Sequence, residues 1–183
     1  MRYIINERQY KLISEEEQEI LHIPSLRVFG DWETLQKFLE RRGNSLYSVG
    51  GGLNLSGTDI KSLGNLTSVG GYLDLNTTKI ESLGALTSVG GVLDLEHCEN
   101  LTSLGNLTSV GRSLDLRDCK NLTSLGNLTS AGGYLDLYGT NIKSLGNLTS
   151  VGGGLDLRGT PLSKKYTIEE IRNMVKVGGD IYL

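Results

Sequence analysis

A unit of 20 or 21 residues repeats along most of this 183-residue chain, and it constrains the fold more than any other feature. Six copies begin at residues 46, 66, 86, 107, 128 and 148, and they share the strings L-T-S-V-G-G, L-D-L and S-L-G-N with few changes. A unit this short cannot bury its own apolar residues, so each copy is stable only when it stacks on its neighbours. The sequence therefore predicts a solenoid.

Each copy contains two leucines separated by one polar residue, as in Leu73-Asp74-Leu75. Alternation with a period of two is typical of a strand with one buried face. A Thr or Cys comes five residues after the first leucine, and an Ile or Leu follows it; in this copy they are Thr78 and Ile80. Stacking aligns these positions, so we expect one parallel β-sheet over a continuous apolar core.

These residues resemble the leucine-rich repeat family, whose core pattern L-x-L-x-x-N/C-x-L matches residues 73–80 with Thr78 at the Asn/Cys position. The resemblance covers about residues 46–162. It implies an α/β solenoid in which a right-handed coil carries one parallel β-sheet. The S-L-G-N-L-T-S connector is too short for a helix, so we expect a mostly irregular or 3₁₀ convex side. The unit also resembles short-repeat proteins of bacteria and their phages.

The residues that flank the repeats predict helical caps, which a solenoid needs to cover its terminal coils. The predicted domains are an N-terminal helical cap (1–45), the solenoid (46–162) and a C-terminal cap (163–183). In the N-terminal cap, Ser14 and Asp31 are candidate N-caps of two helices, one ending near residue 21 and one running from 32 to about 42. Leu26–Val28 is predicted to add a strand before the first repeat.

The residues after the repeats predict a C-terminal cap made of a helix and a final strand. Thr167 and Glu170 form a capping box that predicts a helix over about 168–175. Residues 177–183 then repeat the V-G-G-x-L-x-L pattern, with Ile181 and Leu183 as the inward pair, so we expect a final strand over about 179–183. With this strand and the one before the first repeat, the predicted ladder has eight parallel strands.

Composition narrows the choice of partners. The formal net charge is −3, the sequence pI is about 5.4, and there is no long basic run, so nucleic acid is not an expected partner. No segment approaches the ~20 consecutive apolar residues of a membrane span. The first residues are charged and lack the apolar stretch of a signal peptide. We therefore expect a monomer in the cytoplasm of a bacterial cell, or of the host cell if a phage encodes it.

The solvent-facing positions of the predicted strands are the expected binding site, because partners of leucine-rich repeats usually lie on the strand face. Aspartate recurs at the middle position, and a row of aspartates flanked by tyrosines suits a protein partner with a basic surface. The alternative is that aspartate was the polar residue fixed when the repeat was duplicated. The predicted partner-binding residues are Tyr72, Asp74, Asn76, Asp94, Glu96, Asp115, Arg117, Tyr134, Asp136, Tyr138, Asp156 and Arg158.

No cofactor, metal or catalytic residue is predicted. A row of carboxylates can collect Ca²⁺, but a site needs six to eight oxygens that converge on one point. Cys98 and Cys119 share one position in adjacent copies, and parallel Cβ directions favour buried free thiols over a disulfide. His97 beside Cys98 is the only hint of a nucleophile pair, and Cys98 should point inward.

The leading prediction is a non-catalytic protein-interaction module, of which an inhibitor of a host defence protein is one form. The alternative is a structural repeat protein that packs against copies of itself. An enzyme is not predicted, because leucine-rich-repeat ubiquitin ligases carry a large separate catalytic domain for which this chain has no room.

Overall fold

The computed structural model describes residues 20–183, which form a parallel β-solenoid with few helices. Each repeat contributes two short strands, one from T-S-V and one from L-D-L. A glycine pair lies between them, except in one copy, which has Gly111 and Arg112 there. The strands are β1 Leu21–Ile23, β2 Tyr47–Val49, β3 Leu53–Asn54, β4 Leu66–Val69, β5 Leu73–Asp74, β6 Ser88–Val89, β7 Leu93–Asp94, β8 Ser109–Val110, β9 Leu114–Asp115, β10 Ser130–Ala131, β11 Leu135–Asp136, β12 Ser150–Val151, β13 Leu155–Asp156, β14 Lys176–Val177 and β15 Ile181–Tyr182.

The strands form two parallel sheets, so the prediction of a single sheet was wrong. The valine sheet has the order β1-β2-β4-β6-β8-β10-β12-β14, and the aspartate sheet has the order β15-β13-β11-β9-β7-β5-β3. The valine sheet was missed because its buried residues, such as Leu66 and Val69, are three positions apart. That spacing does not match the period of two by which a half-buried strand is detected.

The third side of each coil is extended but barely paired. Two isolated parallel bridges join Ser62 to Ser82 and Ser103 to Ser124. In this connector the serine hydroxyl accepts the N–H of the glycine two residues later, as Ser82 does from Gly84 at 3.0 Å. The irregular side predicted from the sequence is therefore present.

The segment before the first repeat differs from its prediction. Leu26–Val28 is a 3₁₀ helix and not a strand, since the Ser25 side chain accepts the Arg27 N–H and turns the backbone. The strand is β1 instead, and it pairs with β2 in the valine sheet with Ile23 opposite Val49. The ladder of L-x-L strands consequently has seven members rather than eight. The predicted helix from Ser14 lies outside the described residues except at its end, where Leu21 begins β1.

Two predicted α-helices are present. Helix α1 covers Trp32–Glu40, and the Asp31 side chain caps it by accepting the Thr34 N–H at 2.7 Å. Helix α2 covers Ile168–Met174, and its capping box joins Thr167 and Glu170 in both directions. A second 3₁₀ helix spans Leu162–Lys164. Within residues 20–183, no helix combines the length and apolar character that crossing a membrane would require.

Stacked leucines, isoleucines and valines form one continuous core along the solenoid. The position five residues after the first leucine is also buried in most coils, where Thr78, Cys98, Cys119 and Thr140 are at most 4% exposed. Their polar atoms are satisfied within the core: Thr140 donates to the Leu137 oxygen at 2.8 Å, Cys119 donates to the Leu95 oxygen at 3.0 Å, and Thr78 hydrogen-bonds the Cys98 thiol. Small hydrogen-bonding side chains at this turn therefore avoid the cost of an unsatisfied buried group.

The turn after each aspartate-sheet strand needs a residue with positive φ. Three coils place Gly57, Gly139 and Gly159 there, and one places Thr77 there with φ of 56°. A β-branched residue is strained in this region. We expect Thr77→Gly to raise the free energy of unfolding by about 1 kcal/mol, measured by urea denaturation. Thr87→Gly is the control and should destabilise, because Thr87, the residue before β6, does not have positive φ. A loss of stability in Thr77→Gly would contradict the strain argument.

Candidate functional site

All twelve residues predicted to bind a partner lie on the strands of the aspartate sheet, directly before them or in the turns that follow them. The strands are in register, so Asp74, Asp94, Asp115, Asp136 and Asp156 are neighbours in one column. The column continues to Asn54 at one end and Tyr182 at the other. The aspartates predicted to recur on the strand face therefore lie side by side. This row, from Asp74 to Asp156, is called the aspartate stripe, or the stripe.

Each aspartate of the stripe also has a structural role. One carboxylate oxygen accepts the backbone N–H two residues later, at 3.1 Å for Asp74, 3.0 Å for Asp94 and 2.9 Å for Asp156. Asn54 makes the same bond to Ser56 with its amide oxygen at 3.0 Å. This Asx turn ends the strand and begins the tight turn. It explains why the middle position is almost always aspartate, independently of any partner.

Arg117 neutralises the centre of the stripe. Its guanidinium contacts Asp115 at 2.7 Å, Glu96 at 3.0 Å and Asp136 at 3.7 Å. The hydrogen bond to Asp115 is the main cause that raises the pKa of Arg117 above its usual value. Oxygens of Asp94, Glu96 and Asp115 lie within 4.8 Å of one another, and the guanidinium already supplies positive charge at this cluster.

Arg158 closes the C-terminal end of the stripe. It pairs with Asp156 at 2.5 Å and lies over the rings of Tyr138 and Tyr182, 5.8 Å and 5.4 Å from their centroids. Asp156 is 1% exposed. Its burial favours the neutral acid, but the hydrogen bonds from Arg158 outweigh burial and hold the pKa of Asp156 below its usual value. The charge of Asp156 is therefore compensated within the protein, whereas Tyr138 and Tyr182 remain 43% and 41% exposed.

Tyr134 lies behind this pair. Its hydroxyl is 3.5 Å from an Asp156 oxygen. Burial, together with the negative charges of Asp156 and Asp136, raises the pKa of Tyr134 to about 12. Tyr134 is thus a neutral hydrogen-bond donor within the protein.

The N-terminal half of the stripe has no such compensation. The ion pairs among residues 20–183 include neither Asp74 nor Asp94. Burial raises the pKa of Asp94, and the charges of Asp115, Asp74 and Glu96 raise it further. Beside these carboxylates, Tyr72 and Val92 are 50% and 39% exposed. The aspartates of the row that make no ion pair among residues 20–183 therefore lie on β5 and β7.

We expect Asp94→Asn to stabilise the protein by about 0.5 kcal/mol at pH 7, because the amide keeps the Asx bond, as Asn54 does, and removes like-charge repulsion. The folded pKa of Asp94 is raised, so its charged form destabilises the fold above that pKa. The gain should disappear as the pH falls through it, where the wild-type side chain is protonated. Urea denaturation against pH measures this; Asp115→Asn, which breaks the Arg117 pair, should show no gain.

The two cysteines are free and fully buried, as predicted. Burial is the main cause that raises the pKa of Cys98 and raises that of Cys119 to about 12. The Cys98 thiol hydrogen-bonds Thr78 and the Leu75 carbonyl, whereas the His97 ring lies on the surface 3.6 Å from Glu96. These contacts give the thiol neither a base nor an exposed position, and both are needed for nucleophilic chemistry.

Sequence reasoning missed a trough of about 670 Å³ on the valine sheet. Serine side chains and the first glycines line it, including Ser88, Gly90, Ser109 and Gly111, with Lys176 at one end. The Thr-Ser-Val-Gly string, which changes only at Tyr47 and Ala131 among the six copies, was the available signal. The threonines beside it have a structural role, since Thr108 donates its hydroxyl to the Thr87 carbonyl at 2.9 Å.

Comparison with known proteins identifies no relative: the sequence matches no family model, no curated protein and no solved structure. The class that the geometry defines is a parallel β-solenoid repeat protein.

Proposed function

We propose that this protein is a non-catalytic interaction module of the leucine-rich-repeat type, and that it binds a protein with a basic surface on the aspartate sheet. The observation that carries the proposal is the pair of uncompensated carboxylates, Asp74 and Asp94, beside the exposed side chains of Tyr72 and Val92. Acidic groups next to an exposed tyrosine suit a Lys or Arg whose aliphatic stem packs on the ring.

The charge distribution narrows the binding surface. Arg117 and Arg158 already pair with Asp115 and Asp156, so a basic partner gains little from the C-terminal half of the sheet. We therefore place the main contacts at Tyr72, Asp74, Asn76 and Asp94, with Glu96, which pairs with Arg117 at 3.0 Å, at the margin. The remaining predicted residues, Asp115, Arg117, Tyr134, Asp136, Tyr138, Asp156 and Arg158, orient this surface or form its margin. Because the short repeat resembles bacterial and phage proteins, an inhibitor of a bacterial defence protein is one function of this kind.

The test is affinity capture from bacterial lysate with three baits: the wild type, the double variant Asp74→Asn with Asp94→Asn, and a matched control. Asparagine keeps the Asx bonds, so the fold is retained while two negative charges are removed. The control, Glu81→Gln with Glu99→Gln, removes the same charge from side chains that are 56% and 59% exposed on another side of the coil.

We expect the wild type and the control to capture the same basic protein, and the aspartate variant to lose at least about 90% of it, which corresponds to about 1.4 kcal/mol. Binding of the purified partner should also weaken as salt is added. Equal capture by all three baits would overturn the proposal. Loss by both double variants would show that net charge, and not this surface, governs binding.

A further inference from the structure

The C-terminal end of the valine sheet carries backbone carbonyls that would bond to the next coil if the solenoid continued. Between coils, backbone amides of the glycine pair donate to the preceding coil: Gly178 to the Val151 carbonyl and Gly179 to the Gly153 carbonyl, both at 2.9 Å. By the same pattern, the carbonyls of Val177 and Gly179 are the acceptors that a further coil would use. An edge with free acceptors of this kind is a template for another chain.

Arg172 occupies both acceptors. Its Nη1 donates to the Val177 carbonyl at 3.1 Å and its Nη2 to the Gly179 carbonyl at 2.9 Å. The planar guanidinium therefore takes the place of the two backbone amides that a further coil would supply, and its two hydrogen bonds have similar lengths. Helix α2 makes this possible, because Ile171 is buried against the core and Arg172, the next residue, is held beside β14.

Among residues 20–183, the other end of the same sheet is β1, and it lacks the matching donor. Ile23 pairs with Val49, so Pro24 stands where each repeat has its first glycine, alongside Gly50. Gly50 donates its N–H to the Ile23 carbonyl at 2.8 Å. Pro24 cannot make the equivalent bond to a coil stacked before it, because proline has no N–H. Proline on an edge strand is a common means of preventing sheet extension.

We propose that Arg172 and Pro24 are paired end stops that prevent a second copy of this chain from stacking on the valine sheet. Without them, one end would offer carbonyl acceptors and the other a glycine amide donor in the register used between coils. Such a head-to-tail contact does not close on itself, so it would extend into a filament. The inference is independent of the proposed partner surface, which lies on the aspartate sheet.

The test is sedimentation velocity over a concentration series. Arg172→Met keeps the aliphatic stem and removes the donors, and Pro24→Gly restores the donor of the repeat. The control is Arg112→Ala with Pro161→Gly, which changes the same residue types elsewhere. Circular dichroism and thermal unfolding establish that each variant is folded, and Arg172→Gln, which retains one donor group, replaces Arg172→Met if that variant is not.

We expect the wild type and the control to sediment as monomers at every concentration. The double variant Arg172→Met with Pro24→Gly should at least double its weight-average mass as concentration rises, and each single variant should associate less. A folded double variant that stays monomeric would overturn the proposal and leave Arg172 as a local stabiliser. Self-association of the wild type would overturn it as well, and would favour a self-assembling function.

Discussion

Gly111→Ala is expected to cost about 3 kcal/mol of stability and to lower the melting temperature by roughly 10 °C. A Cβ at this position would lie 2.2 Å from the Gly90 oxygen of the preceding coil. The backbone cannot move away easily, because the Gly111 N–H donates to the Val89 carbonyl at 2.8 Å. The coils must therefore separate locally, with loss of packing on both sides of the substitution.

The chain offers a matched control in Gly105→Ala. Gly105 has φ of 58°, and a Cβ there meets nothing within 4 Å. Its cost should be the strain of a left-handed alanine, about 1 kcal/mol. Both substitutions have the same effect on the unfolded chain, so their difference in urea denaturation isolates the backbone clash. Equal losses would show that the coil spacing is more compliant than this geometry indicates.

The second glycine of the pair is less restrictive. In one coil Arg112 already replaces it, although a Cβ at the equivalent Gly71 would lie 2.6 Å from the Gly52 nitrogen. The first glycine has no such replacement in any copy from Gly50 to Gly178. The contrast supports the expectation that the first position is the one at which a side chain is most damaging.

Asp156→Ala is expected to cost about 2–3 kcal/mol, the largest effect of any stripe aspartate. The substitution removes the acceptor of the Arg158 backbone N–H at 2.9 Å and of the Arg158 guanidinium, and it leaves the Tyr134 hydroxyl without its carboxylate. Because the Arg158 side chain is 55% exposed, it can turn to water, and the cost stays below that of a fully buried broken pair.

The pH dependence of this prediction has a definite sign. The folded pKa of Asp156 is lowered, so the carboxylate stabilises the fold above its unfolded pKa, near 3.8, and that contribution is lost as the pH falls through the folded value. The stability difference between wild type and Asp156→Asn should therefore be constant near neutral pH and shrink below about pH 4. A difference that grows in acid would contradict the assigned ion pair.

Much of the fold follows from the repeat. The inward leucines, the turn position of Thr78 and Cys98, and the capping box at Thr167 are local patterns with a direct physical meaning. The final strand is present with Ile181 buried, but Leu183, predicted to face inward with it, is 36% exposed, so that part of the prediction was wrong. The valine sheet was not predicted, because its inward residues do not alternate. Leu26–Val28 was predicted to be a strand because it precedes the first L-x-L of the repeats by a suitable distance, and the Ser25 turn overrode that pattern.

The arrangement of the aspartates was predicted from the sequence, but their ion pairs were not. Periodicity placed five aspartates in one row, and the structure shows the same row. Only the structure shows that Arg117 and Arg158 pair with the aspartates in the C-terminal half of this row. Arg117 contacts Asp115, two residues before it, and Glu96, which belongs to the preceding coil. Arg158 contacts Asp156, two residues before it. Nothing in the string L-D-L-R indicates which carboxylates these arginines neutralise.

The sequence by itself determined that this chain is a stack of coils, which face of each coil is buried, and which residues recur on the exposed strand face. The reason is that periodicity is a local property, and every copy repeats the same pattern of contacts with its neighbours. Only the tertiary structure decided that there are two sheets and that the arginines pair with the C-terminal half of the stripe. It also placed Arg172 and Pro24 at the two ends of the valine sheet. Those features depend on hydrogen-bond register and side-chain reach between coils, which exist only once the coils are stacked.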